Sequence, residues 1–442
     1  MLVAAGLRIG VAEAVAPVKP LGDEMYYVLV AANLADGMGH VYGKNARALR
    51  PPAHPWLLSW VAQPDRLMTS STGEAGTRRG VRLAGLAPLV RMQLLIGCLL
   101  VGATVWLGTV LFDLRVGFVA GCLAAIYPTF IAYSHYLWSE NLFALLITAA
   151  LAALVANARR GRVVQAVAAG LLFGAAALTR EIALPAALVG VLWRVLAVDE
   201  AAYRRRAIVH GGIVLGTALC VIAPWAIRNH LTFDRILPIS SVGWIAIGEG
   251  NALEGARWLR PASPGRSEFR REVLAIDDES ERIDFARRRT LSVITRDPLG
   301  WAFTKLWLNL PLMFSPDAFQ LYKLRNGSYG DVSPWKVRFV TVATYSVYAA
   351  VMILAVVGIA AANPRQRWLA LLVSGVVLAV HVFANANSRF RMPWMPLLMV
   401  YAAHTLVSGR PALARLGPRC RIAVAGVCGW VLFVCASFVA LP

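Results

Sequence analysis

Charged side chains are scarce in this chain. Asp, Glu, Lys and Arg make up 15% of its 442 residues, whereas a soluble domain carries about a quarter. Hydrophobic residues make up 58%, and apolar runs recur along the chain. Many of these runs approach or pass the ~20 residues that span a bilayer as a helix. The composition therefore excludes an ordinary soluble globular protein and predicts an all-α polytopic membrane protein, formed as a single domain over residues 1–442.

Common nucleotide and metal motifs are also missing. The sequence contains no Walker loop, dinucleotide-binding fingerprint, GxSxG or HExxH motif. Its six cysteines are scattered without a CxxC pair, so no disulfide framework or cysteine metal site is expected. Acidic residues are few beside basic ones, and the net charge is +20. In a membrane protein this excess indicates basic cytoplasmic loops, so no nucleic-acid partner is expected.

The apolar runs predict about eleven transmembrane helices. They lie at roughly 1–17, 87–111, 115–134, 140–157, 164–178, 182–197, 207–226, 338–361, 367–384, 392–408 and 422–441. Alternate short loops carry the arginines, at 159–162, 204–206, 365–367 and 410–421, and should be cytoplasmic. The chain is then a multi-pass protein of the plasma (inner) membrane. Segments 18–86 and 227–337 become extracytoplasmic loops.

One apolar run does not fit this scheme as a span. The stretch "GWAFTKLWLNLPLMF" (300–314) is short and holds Lys305 and Pro311, so we expect it to lie at the interface or to re-enter the membrane. The preceding stretch, 279–296, has the pattern of an exposed amphipathic helix.

Two adjacent acids are the first candidate site residues. Asp23 and Glu24 open the stretch "DEMYYVLVAANLADG", which suits a short helix at the membrane surface. Adjacent helical residues point about 100° apart, so only one of the two can face a given site squarely. From the pattern alone, a catalytic role and simple capping of the helix N-terminus are about equally supported.

The neighbouring "RPPAHP" step is rigid, because its prolines fix the backbone. Such a step can hold Arg50 and His54 in a site, or it can be only a stiff turn. Glu140 lies at the outer start of a predicted span. Acids at a membrane edge are costly and tend to be functional, although capping by the preceding Ser139 is the alternative.

Cationic candidates for a phosphate lie at the same membrane face. Arg228 ends one span, and "SRFRMP" places Arg389 and Arg391 before another. If "SRFRMP" is extended, Arg389 and Arg391, which are two residues apart, lie on the same face of the segment. Lys305 is a further candidate for donor binding. Arg forks bind phosphate bidentately. The alternative for each Arg is that its side chain snorkels to the membrane interface. For any one of these arginines considered alone, snorkelling is better supported than phosphate binding.

Taken in order, these stretches resemble a known family. "GDEMYYVLVAANLADGMG", "RPPAHPWLLS", "YPTFIAYSHYLWSENLF", "APWAIRNHLTFDRILPISS" and "SRFRMPWMPLLMVYAA" look like bacterial membrane glycosyltransferases of the GT-C superfamily. The sequence is most similar to glycosyltransferase family 39, the protein O-mannosyltransferase-like and lipid A aminoarabinose transferase-like enzymes. The resemblance covers most of the chain.

The resemblance implies an activity and a site. It implies a sugar donor on a polyprenyl phosphate, transfer on the extracytoplasmic face, and inversion at the sugar carbon. The family's catalytic Asp in the first outer loop corresponds to Asp23, with Glu24 beside it. General-base catalysis by a carboxylate and stabilisation of the leaving phosphate by Arg donors agree with the residues present.

Several alternatives remain open from the sequence. A transporter or lipid flippase also needs charges at the membrane edge, but it often carries inverted repeats, which this sequence lacks. A non-catalytic membrane scaffold is the third hypothesis. No cofactor is certain. A divalent metal on Asp23, Glu24, Glu140 and His54 stays open, as do the transferred sugar and the acceptor, which is a glycan, a lipid or a protein.

Overall fold

A computed structural model describes residues 1–15, 18–43, 46–68, 81–197, 200–252, 264–316, 319–414 and 416–439. Within these ranges the chain is helical and forms no strand beyond two isolated bridges. The α-helices are α1 Leu2–Val15, α2 Asp23–Ala35, α3 Ala53–Ser59, α4 Pro64–Leu67, α5 Ala87–Leu111, α6 Leu114–Ile126, α7 Pro128–Tyr133, α8 Glu140–Arg160, α9 Val163–Ala177, α10 Ala183–Leu196, α11 Ala201–Phe233, α12 Val242–Asn251, α13 Pro264–Leu274, α14 Glu279–Arg296, α15 Pro298–Phe314, α16 Phe319–Arg325, α17 Pro334–Ala361, α18 Pro364–Phe383, α19 Met395–Ala414 and α20 Pro418–Val439. Two 3₁₀ helices lie at Leu83–Leu86 and Ser388–Trp394.

The described part of each of the eleven predicted spans is helical, although span 115–134 is divided between two helices and span 392–408 begins in a 3₁₀ helix, and the predicted all-α polytopic membrane class is confirmed. Among the described residues, six stretches are long and apolar enough to cross a membrane. They are Leu83–Leu111, Glu140–Arg160, Tyr203–Phe233, Pro334–Ala361, Pro364–Phe383 and Pro418–Phe438. Helices α6, α9 and α10 are apolar but shorter. The outermost ends of the first and last predicted spans, and parts of both predicted outer loops, lie outside the described residues.

The predicted span 115–134 is divided into two helices. Helix α6 ends at Ile126, and Tyr127 adopts an extended conformation before Pro128 starts α7. Proline disfavours the helical conformation in the residue before it and cannot donate a backbone hydrogen bond. The break turns the chain towards residues 135–139, which form one wall of the site described below.

Small residues bring the helices into close contact. A Cβ added to Gly108 of α5 would lie 2.7 Å from the Cα of Gly117 of α6. On α9, a Cβ at Gly170 would lie 2.6 Å from the carbonyl oxygen of Val214 on α11. In lipid the hydrophobic effect does not drive helices together, so close backbone approach of this kind contributes much of the packing.

The arginine-rich loops gather at one end of the bundle. Arg159 and Gln366 both donate to the carbonyl oxygen of Leu111, at 2.8 and 2.6 Å. The indole of Trp193 donates to the carbonyl oxygen of Arg365 at 2.7 Å. Arg206 donates to the carbonyl oxygen of Gly161 at 2.5 Å, so three of the loops that were sorted together by charge are neighbours in space. Their cytoplasmic placement, and the extracytoplasmic placement of 18–86 and 227–337, remain predictions.

A layer of shorter helices, α12 to α16, covers part of the opposite end. The predicted amphipathic helix 279–296 coincides with α14, and the Asp278 side chain caps it by accepting from the amide of Glu281 at 2.8 Å. Glu279 joins this layer to the first loop, because its carboxylate accepts from the amide of Arg47 at 2.6 Å and from the Ser241 hydroxyl at 2.5 Å. The run 300–314 lies within the single helix α15.

Candidate active site

Five charged side chains form one ion-paired group at the end of the bundle that carries α2. We call Asp23, Arg50, Glu140, Arg180 and Arg389 the arginine–carboxylate network. Asp23 Oδ1 lies 2.7 Å from Arg50 and its Oδ2 lies 2.9 Å from Arg389. Glu140 Oε1 lies 2.8 Å from Arg180 and 3.6 Å from Nε of Arg389. Arg389 therefore links the two carboxylates.

Each member of the network lies at the end of a structural element. Asp23 and Glu140 are the first residues of α2 and α8, where the helix dipole favours a negative charge. Arg180 lies in the turn between α9 and α10, and Arg50 precedes the proline pair that leads into α3. Arg389 is the second residue of a 3₁₀ helix whose start is capped by an asparagine side chain. Segments far apart in sequence thus supply one site.

The network carries a net positive charge, because three guanidinium groups face two carboxylates. Burial by itself raises the pKa of Asp23, but the positive charges of Arg50 and Arg389 outweigh this effect and hold the pKa well below its usual range. The same pairing raises the pKa of Arg389 despite its burial. Both groups stay ionised at any physiological pH, and the excess charge is suited to an anion.

Aromatic rings support two of the guanidinium groups. Arg389 lies 5.2 Å from the ring centre of Trp138, and Arg180 lies 5.1 Å from that of Phe390. A planar guanidinium over a ring gains a cation–π attraction and keeps its donors directed sideways. These rings orient the arginines while leaving their hydrogen-bonding edges towards the carboxylates.

Glu24 faces away from this network. Its carboxylate accepts from the amides of Leu21 at 2.8 Å and Leu137 at 3.0 Å. It also lies 2.5 Å from Lys323, and the two side chains are only 2% and 0% exposed. Adjacent positions on α2 diverge by about 100°, which separates the two acids as the helical pattern predicted. Glu24 fixes α2 in place through Lys323, whereas Asp23 pairs with Arg50 and Arg389.

His54 is buried behind α2. Its Nε2 lies 3.1 Å from the carbonyl oxygen of Leu137, and its ring stands edge-on to Tyr27. Burial lowers the pKa of His54 to about 4, so the ring is neutral at physiological pH. The imidazole therefore packs behind the loop and does not join the network. Arg50, four residues earlier, is the residue of the rigid proline step that contacts Asp23.

Arg391 also points elsewhere. It donates to the carbonyl oxygens of Met313 at 2.8 Å and Ser315 at 2.6 Å and is 4% exposed. The expectation that Arg389 and Arg391 share a face assumed an extended segment and is wrong. Residues 388–394 form a 3₁₀ helix, in which positions two apart lie about 240° apart. Arg391 joins this segment to the end of α15.

Two further candidates are held by backbone carbonyls. Arg228 donates to the carbonyl oxygen of Arg47 at 3.1 Å and stacks on the Trp225 ring at 4.7 Å. Lys305 is fully buried and donates to the carbonyl oxygens of Gly250 at 2.7 Å and Ala384 at 3.1 Å. These contacts tie Arg228 and Lys305 to backbone carbonyl oxygens, whereas the ion pairs of Asp23 and Glu140 described above are made by Arg50, Arg180 and Arg389.

Arg180 was missing from the candidate residues. It lies in the motif "LTRE" between two predicted spans, and a single Arg in a turn gives no pattern that separates a site residue from a snorkelling one. Lys323, the partner of Glu24, was missed for a similar reason, since it follows no acid at helical spacing. Only the tertiary packing of α8, α10 and α16 identifies them.

A divalent metal does not fit the residues as they are placed. Of the four side chains considered, Glu24 is paired with Lys323 and His54 contacts a carbonyl oxygen. Asp23 and Glu140 remain, and both carry arginine partners. In the part of the chain that the structure describes, no group of three or more His, Cys, Asp or Glu residues is arranged to hold a metal ion.

No family model and no curated protein matches the chain. Solved structures do match its fold. The archaeal oligosaccharyltransferase AglB from Archaeoglobus fulgidus, in complex with an inhibitory peptide and a dolichol-phosphate, aligns with a TM-score of 0.55 and 16% identity over 99% of this chain and 54% of that chain. The Archaeoglobus fulgidus oligosaccharyltransferase in complex with Zn and sulfate aligns with a TM-score of 0.54 and 16% identity over 96% and 50%.

The chain thus spans about half the length of these oligosaccharyltransferases. ArnT from Cupriavidus metallidurans, bound to undecaprenyl phosphate, covers 93% of this chain and 78% of its own at 16% identity, but the TM-score of 0.40 is too low to establish a shared fold. On these alignments, the chain has the fold of the oligosaccharyltransferase structures, the GT-C fold.

Proposed function

We propose that the chain transfers a sugar from a polyprenyl-phosphate-linked donor to an acceptor hydroxyl, with inversion, on the extracytoplasmic face of the plasma membrane. The observation that carries the proposal is the position of Asp23, a partly exposed carboxylate held between Arg50 and Arg389. A base and an anion-binding pair are thus adjacent. The GT-C fold supports this combination, and the AglB structure contains a dolichol-phosphate.

In this proposal Arg389 and Arg50 bind the lipid-linked phosphate of the donor. A phosphodiester carries one negative charge, and the network has one net positive charge to offer it. As the bond between the sugar carbon and the phosphate oxygen breaks, the phosphate leaves with the electron pair and gains a second negative charge. Fixed guanidinium donors stabilise the growing charge more strongly than water does in a shielded site.

Asp23 takes the proton of the acceptor hydroxyl. The hydroxyl oxygen attacks the sugar carbon from the face opposite the phosphate, a single displacement that inverts the configuration. The proton moves to Asp23 as the new bond forms. The chemistry needs no nucleotide, in agreement with the absence of nucleotide motifs.

The depressed pKa of Asp23 has a consequence for this mechanism. A carboxylate paired with two arginines is a weak base. A bound donor phosphate competes for the same guanidinium groups, and each donor that turns to the phosphate is lost to Asp23. The pKa of Asp23 then rises towards its ordinary value. Donor binding thereby activates the base, and until donor arrives the arginines compensate the charge of Asp23.

The experiment uses the purified protein in proteoliposomes with a radiolabelled polyprenyl-phosphate sugar. The proposal expects label on an acceptor added from outside, and loss of that transfer in Asp23→Asn. Movement of the intact donor between leaflets without transfer identifies a flippase or transporter. If envelope glycan, lipid and protein fractions are all tested as acceptors and neither transfer nor movement of the donor occurs, the protein is a scaffold.

A further inference from the structure

A cavity lies in the layer of short helices, α12 to α16, that covers part of the bundle end opposite the arginine-rich loops. Helices α12, α13, α14 and the start of α15 enclose it, and its volume is about 530 Å³. Ligand sites in proteins are usually clefts of about 300–1,000 Å³. None of the five members of the arginine–carboxylate network lines it. The mechanism proposed above gives this cavity no task.

Thr290 places an unpartnered hydroxyl at this cavity. The residue is 1% exposed, it lines the cavity, and its Oγ1 has no hydrogen-bond partner. Helical threonines elsewhere bond to their own helix, as Thr295 does to the carbonyl oxygen of Leu291 at 2.9 Å. Buried polar groups are nearly always bonded, and an unbonded one costs about 1–3 kcal/mol. The oxygen itself is covered in the cavity wall, so it bonds to a ligand only when the Thr290 side chain rotates towards the cavity.

The charged residues around the cavity have mixed signs. Glu268, Glu272 and Asp297 line it together with Arg289 and Arg296. A phosphate-rich ligand would meet three carboxylates, and an apolar chain would meet five charged side chains. A ligand with many hydroxyl groups, each both a donor and an acceptor, matches carboxylates and guanidinium groups at once.

Aromatic surface completes the lining. Trp301 and Phe269 border the cavity, and the Trp301 indole is fixed by its hydrogen bond to Asn251 at 2.6 Å. A rigid aromatic ring offers contact area to the C–H face of a sugar ring at low entropic cost. Polar groups of both kinds beside fixed rings are the features that a saccharide needs.

The cavity is connected to the network through its helices. Lys305 of α15 bonds to the carbonyl oxygens of Gly250 in α12 and of Ala384, which precedes the 3₁₀ helix of Arg389 by a few residues. On α14, Glu279 holds the amides of Arg47 and Ala48, close before Arg50 in the chain. The helices that form the cavity thus also position two arginines of the network.

We propose that this cavity binds a saccharide unit of the acceptor, which makes the acceptor a glycan or a glycan-bearing molecule. The inference rests on the proposed glycosyl transfer for its biological meaning, but saccharide binding itself does not depend on it. A glycan seated between α12 and α14 contacts helices that are hydrogen-bonded to the segments carrying Arg50 and Arg389.

The experiment measures saccharide binding to the full chain in nanodiscs by saturation-transfer NMR and calorimetry. The probes are mannotriose, maltotriose and arabinotriose. We expect saturable binding of at least one of them, and Thr290→Val should weaken it by about 2–10-fold, the worth of one hydrogen bond. The thermal midpoint of Thr290→Val should stay equal or rise, because the variant removes a buried hydroxyl that has no partner.

Thr344→Val is the matched control. Thr344 is equally buried at 2% exposure, but its hydroxyl accepts from Gln320 at 3.1 Å. We expect this variant to lower the thermal midpoint and to leave saccharide binding unchanged. Glu272→Gln, at an exposed position on the cavity rim, provides a second test and should also weaken binding.

Two results overturn the inference. One is no saturable binding of any of the three probes, and the other is wild-type affinity in both Thr290→Val and Glu272→Gln. These outcomes are separate from a failure of the proposed function. If only the proposed function fails, saccharide still binds and Thr290→Val still weakens that binding. Sugar is then never transferred from the donor, and Asp23→Asn has no effect on transfer.

Discussion

Asp23→Asn should abolish transfer and at the same time tighten binding of the lipid phosphate. The side chain keeps its shape in this variant but loses its charge and its ability to take a proton. Loss of a general base costs a factor of about 10²–10⁴ in rate. The effect on affinity has the opposite sign, because the wild-type carboxylate competes with the phosphate for Arg50 and Arg389.

The size of the affinity change follows from the geometry. Two anions that accept from one guanidinium group lie roughly 6 Å apart, which at an effective dielectric constant of about 20 corresponds to about 3 kcal/mol of repulsion. Asp23 is 21% exposed, so solvent and salt reduce this value. We expect about tenfold tighter binding in Asp23→Asn, equivalent to about 1.4 kcal/mol.

The assay separates the two effects. Equilibrium binding of radiolabelled polyprenyl phosphate to the protein in nanodiscs gives the affinity, and turnover of the sugar-bearing donor gives the rate. Glu24→Gln is the matched control one residue along α2. It should lower thermal stability, because Lys323 is fully buried and loses its charged partner, without tightening phosphate binding. Weaker phosphate binding in Asp23→Asn, or near-normal turnover, would refute the competition between carboxylate and phosphate.

The remaining predictions concern the two arginines of the 3₁₀ helix, the buried His54 and the buried Glu24–Lys323 pair. Arg389→Ala should weaken polyprenyl phosphate binding by about 10–100-fold, since a hydrogen bond to a charged group is worth about 1.5–3 kcal/mol. Arg391→Ala should instead lower the thermal midpoint with unchanged affinity per folded molecule, because it leaves two buried carbonyl groups without their donor; equal loss of affinity in both variants would contradict the divergence of the two side chains. For His54 the folded-state pKa of about 4 lies below the ordinary value of about 6.5, so the unfolded chain takes up a proton first and stability falls as the pH drops from about 6.5 towards 4. Denaturant titrations of His54→Asn should show a flatter decline over that window than the wild type. In the buried pair, Glu24→Gln and Lys323→Met should each destabilise, while the double variant should lose less than the sum of the two, which thermal melts of all three can measure.

The helices could be predicted from the sequence because lipid imposes a strong constraint on it. A membrane span needs a long apolar run, and every backbone polar group must be satisfied within the helix, so the apolar runs marked helical segments of the chain. The prediction missed the break at Tyr127 and Pro128, where local proline chemistry interrupts a continuous apolar pattern. Apolar content alone does not show such a break, although the proline itself was visible.

The candidate site was only partly predictable. Asp23, Arg50, Glu140 and Arg389 were all selected as chemistry-bearing residues at one predicted membrane face, and the structure joins them. Which arginines turn inward depended on conformation. The 3₁₀ helix at 388–394 turns two arginines about 120° apart, and nothing in "SRFRMP" distinguishes that helix from an extended strand. Side-chain direction was the missing information.

Trp138 explains how two charge clusters coexist on one short helix. Its indole is 1% exposed and lies 5.2 Å from the guanidinium of Arg389 and 5.5 Å from the ammonium of Lys323. Each cation holds one of the adjacent acids, Arg389 pairing with Asp23 and Lys323 with Glu24. The Glu24–Lys323 pair is fully enclosed and fixes α2, whereas the Asp23–Arg389 pair is partly exposed, as the proposed exchange of carboxylate for phosphate requires. In the proposed mechanism Arg389 therefore changes partners while the enclosed Glu24–Lys323 pair, whose ammonium also contacts the Trp138 ring, keeps α2 in place.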